Sequence, residues 1–93
     1  MDEHELRELL AKQTDSEFPE FLKAKVSAYI NDLIRNDFQK LLRILYKIDV
    51  DEEKLKKILK EDTGRDAGEI IADLILEREK QKIKTRKQFK AKK

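Results

Sequence analysis

Apolar residues recur along this chain at helical spacing, in sets separated by short polar or turn-forming breaks. Leu6, Leu9 and Leu10 fall on one face behind Asp2 and Glu5, which have the spacing of a capping box, so a first helix is expected to reach about Lys12. Thr14, Asp15 and Ser16 break that pattern, and Pro19 suits a helix's first turn, where its missing N–H would have no partner anyway. Leu22, Val26, Tyr29, Ile30, Leu33 and Ile34 then mark a second helix.

The next apolar set is Phe38, Leu41, Leu42, Leu45 and Ile48. Continued as one unbroken helix, the two sets would be centred roughly 90° apart, so a break is expected near Arg35, Asn36 and Asp37, with Asn36 and Gln39 supplying a cap. Adding Ile44 and Tyr46 widens the apolar arc of this third helix to roughly 200°, more than one buried face needs. The width predicts a central position. Val50 and Leu55 bracket Asp51 as a hydrophobic staple brackets an N-cap, placing a fourth helix from about Glu52 to Glu61 with Leu55, Ile58 and Leu59 inward.

Thr63, Gly64 and Arg65 interrupt again before a capping box of Asp66 and Glu69, which opens a fifth helix on Ile70, Ile71, Leu74 and Ile75. Only Gly68, in the tolerant first turn, weakens this helix before Lys82, so it can continue through Ile83 to about residue 84. The fold expected is all-α: a compact bundle of four to five helices over residues 1–79, with a basic, flexible C-terminal tail over residues 85–93. Leu41, Leu45, Ile71 and Leu74, at the centres of their arcs, should share its core.

Composition agrees with one such domain. The chain has 93 residues, 39% hydrophobic and 45% charged, with two Gly and one Pro, too few turn formers for a β-sandwich. Lack of cysteine rules out disulfides and thiolate chemistry and fits a reducing, cytoplasmic setting. The chain opens Met1, Asp2, Glu3, His4, Glu5, and its longest uncharged run is Val26 to Asn31, so neither a secretory signal nor a membrane span is expected.

Charge changes the picture more. Eight Lys or Arg residues and no carboxylate lie between Lys80 and Lys93, leaving 14 basic against 20 acidic side chains before them. An acidic body therefore carries a basic end suited to an anionic partner. Lys80, Lys82, Lys84, Arg86, Lys87, Lys90, Lys92 and Lys93 are the candidate polyanion-binding residues, with Phe89 the one aromatic available for stacking; a solvated arm without a dedicated partner is the competing reading.

No catalytic, cofactor or metal site stands out. His4 is the one histidine and lacks convergent partners, which makes it a solvated polar residue. Asp49, Asp51, Glu52 and Glu53 resemble the start of a calcium loop, but Lys54, Leu55 and Lys56 occupy positions where ligands are required, so helix capping fits better. Helices four and five could be drawn as a helix-turn-helix, yet Asp66, Glu69, Asp73 and Glu77 would repel phosphate, and hairpin packing is preferred. Leu76 and Ile83, seven residues apart and displaced from the main face, are either a partner or homo-oligomer ridge or further internal packing.

The runs LYKIDV (Leu45 to Val50), AGEIIA (Ala67 to Ala72) and QKIKTRKQF (Gln81 to Phe89) resemble a family of small bacterial all-helical proteins of unassigned function. The resemblance covers roughly Tyr29 to Phe89 and implies a bacterial cytoplasmic protein, with no activity, cofactor or site residue attached. The reading of the sequence is a small non-enzymatic protein-interaction module without a cofactor. Its alternative is a nucleic-acid or ribosome-associated accessory factor acting through the basic tail.

Overall fold

In the computed structural model, which describes residues 1–15, 17–61 and 64–91 except for the side chains of Leu59 and of residues 87–91, five helices carry the chain. They are α1 (Glu3–Ala11), α2 (Glu20–Asn36), α3 (Phe38–Ile48), α4 (Glu52–Glu61) and α5 (Ala67–Ala91), and no strand occurs among the described residues. The all-α bundle expected from the periodicity is the fold. Ser16 and Thr63 of the expected breaks, and the expected inward side chain of Leu59, lie outside the described residues.

Helix ends follow local chemistry. Asp2 Oδ1 accepts the Glu5 N–H at 2.8 Å, Asp51 Oδ1 accepts that of Glu53 at 3.0 Å, and Asp66 Oδ2 accepts that of Glu69 at 3.2 Å. Pro19 caps α2 from just outside rather than within its first turn. The break between α2 and α3 lies where expected, but its cap is Asp37, whose Oδ1 accepts the Lys40 N–H at 3.2 Å. Asn36 instead donates back to Asp32 Oδ1 at 2.8 Å. Asp49 closes α3 in the left-handed region, φ 67° and ψ 45°, which a short polar side chain tolerates, and Val50 N–H returns to the Leu45 carbonyl at 3.1 Å.

The principal packing is α2 against α5, with α3 on α2 and more lightly on α5, and α4 on α5. Helix α1 closes the core by inserting Leu6 and Leu10, both buried. In its first half α5 buries Ile70, Ile71, Ala72, Leu74, Ile75 and Leu76, an arc of roughly 240°, which makes α5 the central helix. The wide apolar arc of α3 predicts that role for α3, and the packing corrects it. Helix α3 is peripheral: Leu41, Ile44, Leu45 and Ile48 face the core, while Phe38, Leu42 and Tyr46 face solvent. Leu41, Leu45 and Ile71 do share one cluster, and Leu74 is buried beside it. Helix α5 passes residue 84 and reaches Ala91, a rod of about 37 Å along the molecule's 45 Å long axis.

Gly68 does more than tolerate its position. A Cβ there would stand 2.4 Å from the Asn31 carboxamide, whose Nδ2 donates to Asp66 Oδ2 at 2.7 Å, so the missing side chain leaves room for Asn31 to reach Asp66 between α2 and α5. Gly68→Ala is expected to displace Asn31 from Asp66 and lose about 1 kcal/mol despite alanine's better helix propensity. With Asn31→Ala in place the same change should be neutral or stabilising. Urea melts of the four proteins in this cycle test it, and a Gly68→Ala effect of the same sign in both backgrounds would refute the steric account.

Candidate interaction surface

The sequence of α3, FQKLLRILYKI, spends its apolar residues on two faces. Leu41, Ile44, Leu45 and Ile48 form the inward one. Phe38, Leu42 and Tyr46, spaced by four, form an outward stripe with 52%, 45% and 87% of their surface exposed. Isolated exposed apolar side chains are ordinary, but three large ones in register on one helix make a patch. Beside it stand Gln39, Arg43 and Lys47, all exposed, and α3 contains no carboxylate. Lys47 Nζ lies 2.9 Å from Glu3 Oε2, tying α1 to α3; that hydrogen bond and the nearby cations hold the Glu3 carboxyl below its ordinary value.

Leu76 and Ile83 are 7% and 2% exposed, covered within this chain, as the internal-packing alternative expects, because a central helix buries the off-axis positions that a surface helix would leave bare. The outward ridge lies on α3, on residues whose periodicity reads as core. Sequence alone holds one signal for it, an arc too wide for a single face.

The basic residues of α5 are partly engaged at home. Lys80 Nζ sits 5.6 Å from the centroid of the Phe18 ring, and Lys82 pairs with Glu79 at 3.6 Å. Lys84 and Arg86 are exposed. The side chains of Lys87, Phe89 and Lys90, and Lys92 and Lys93 altogether, lie outside the described residues.

The remaining candidates resolve into structural roles. His4 Nε2 meets Glu8 Oε1 at 3.1 Å on an exposed face. Asp49 and Asp51 cap helices, and among the described residues no three His, Cys, Asp or Glu side chains converge on a point a metal ion could occupy. The first turns of α5 bury Ile70, Ile71 and Ala72 and leave Ala67 and Glu69 exposed, and Lys54 of α4 pairs with Glu77 at 3.5 Å, so the two helices pack as a hairpin. Beside that pair an open cavity of about 270 Å³ is lined by Asp49, Asp51 and Arg78 among others. Arg78 donates to Asp49 Oδ2 at 3.3 Å and Gln81 Oε1 at 3.4 Å, so its guanidinium serves as a clasp between α5 and the α3–α4 turn.

A second clasp joins α2 to α5: Asp73 receives Lys23 at 3.1 Å and Arg65. Burial pushes the Asp73 carboxyl up, but the Arg65 and Lys23 hydrogen bonds outweigh it, and the group lies below its ordinary 3.8. The Asn31 hydrogen bond likewise lowers Asp66. A carboxylate with a depressed folded-state pKa adds stability that is present above the unfolded value and is lost as pH falls through the folded one. The melting temperature should therefore hold from neutral pH down to about 5 and fall below about 4. Circular-dichroism melts test this; Asp73→Asn should soften the acid limb, and an unchanged limb would remove Asp73 from the account.

No helix among the described residues is long and apolar enough to cross a membrane. No protein-family model, curated protein or solved structure matches the chain.

Proposed function

We propose that this chain is a non-enzymatic protein-interaction module of the bacterial cytoplasm whose docking surface is the outer face of α3. One observation carries the reading: Phe38, Leu42 and Tyr46 stand in helical register on the surface of a bundle that already has a complete core. Exposed aromatic and leucine ridges of this kind supply the anchors of helix-in-groove recognition. A photo-crosslinker at position 46 is expected to trap a second protein in cells, and one at Lys57, on exposed α4 surface, is not. The adduct should vanish with Leu42→Lys. Equal trapping from both positions, or none from position 46, would reject the surface.

A second reading follows from α5, which carries exposed Lys84 and Arg86 beyond the packed body and continues to Ala91. Polyanion binding through Lys80 to Lys93 would act by counterion release, with steep salt dependence and little sequence preference. Because Ile83 is buried, the test replaces Lys84 and Arg86 with Gln and leaves the chain at full length. Anisotropy with RNA and duplex DNA at two salt concentrations reads it, and absence of binding at low salt would reject it.

A further inference from the structure

We propose that the occupant of the α3 face is a short acidic amphipathic helix of another protein, which lays an apolar ridge along Phe38, Leu42 and Tyr46 and sets carboxylates against Arg43 and Lys47. The inference rests on the docking reading and adds the chemistry of the partner.

Size is the first argument. The stripe spans two helical turns, about 12 Å, and its three side chains expose on the order of 400 Å². A stable pair of folded proteins buries about 800 Å² on each side, whereas a ridge of this length matches two to three turns of a single helix.

Charge is the second. Between Phe38 and Ile48 the polar side chains are Gln39, Lys40, Arg43 and Lys47, on a body whose first 79 residues hold 14 basic and 20 acidic groups. A locally cationic face on an acidic body draws an acidic segment to one place and turns it away elsewhere. A second copy of this chain fits less well. An antiparallel two-fold pairing about Leu42 would bring Arg43, close to the axis, against the same residue of the other copy, a like-charge contact that an acidic partner avoids. Single-stranded nucleic acid fits less well too, since Leu42 offers no ring to stack and Phe38 and Tyr46 are two turns apart.

Lys47 adds a restraint built into the fold. Its ammonium is held by Glu3, so an incoming carboxylate competes with α1 for it. Removing that competitor should strengthen binding.

The probe is a fluorescein-labelled peptide of about 20 residues with leucines at alternating three- and four-residue spacing and glutamates on the opposite face, beside a twin with lysine for every glutamate. Fluorescence anisotropy with the full chain is expected to show the glutamate peptide binding at least about tenfold more tightly, an advantage that shrinks with salt. Tyr46→Lys and Leu42→Lys should remove binding with circular dichroism unchanged, Arg43→Glu should invert the preference, and Glu3→Gln should tighten the glutamate peptide severalfold. Equal or tighter binding of the lysine twin, or a preference unmoved by Arg43→Glu, would overturn the proposal. So would a dimer in sedimentation that Leu42→Lys dissolves, or displacement of the peptide by oligouridine. Failure of both peptides to bind would also overturn the acidic-helix assignment, and crosslinking from position 46 decides separately whether the face docks anything.

Discussion

Leu76→Lys is expected to unfold the chain. Leu76 lies in the main hydrophobic cluster at 7% exposure, on the helix against which α2, α3 and α4 all pack. Replacing it removes a buried apolar side chain and forces an ammonium either to be desolvated without a partner or to be neutralised, at a cost of several kcal/mol. A helical domain of this size has roughly 5 kcal/mol or a little more in hand. The helical signal at 25 °C should therefore collapse or persist only as a loosely packed state. Tyr46→Lys, at a residue 87% exposed, should leave the melt within about 0.5 kcal/mol of the parent. A well-folded Leu76→Lys protein that had merely changed its association state would return this residue to the surface and contradict the packing described.

Two adjacent leucines give the second large contrast. Leu41 is fully buried and Leu42 is 45% exposed, so the same truncation to alanine acts on opposite sides of α3. Leu41→Ala should cost about 2 to 5 kcal/mol, the transfer energy of the lost atoms plus a cavity that neighbouring helices fill only in part. Leu42→Ala should cost less than about 1 kcal/mol, because its outer atoms already meet water and no cavity forms. Urea melts with a common slope measure both. Comparable losses would show that Leu42 is core and that the outward stripe does not exist.

The two contrasts mark where the sequence was legible. Helix ends were, because caps are local: Asp2, Asp51 and Asp66 each reach an N–H two or three residues away, and such bonds are available to the chain before any tertiary contact forms. The break after α2 was legible for a related reason, as apolar arcs centred 90° apart cannot face one core from a straight helix. Its cap was misassigned by one residue, since Asn36 and Asp37 both suit the role and only the backbone turn at Asp37 chose between them.

Which helix is central was not legible. Periodicity reports how much of a helix's circumference is apolar and not what covers it, so the wide arc of α3 and the off-axis Leu76 and Ile83 of α5 carried the same message. The packing sorted them in opposite senses. Helix α5 lies against α2, α3 and α4 and its extra positions are covered, while α3 sits at the edge and its extra positions stay bare. Gly68 and Asn31, which meet where α5 docks on α2, are far apart along the chain, and their close approach exists only once the helices meet. Thus the amino-acid sequence by itself determined the helices, most of their caps, the all-α class and the basic end. Only the tertiary structure decided which apolar residues were left exposed, because burial is a property of neighbours that are distant along the chain.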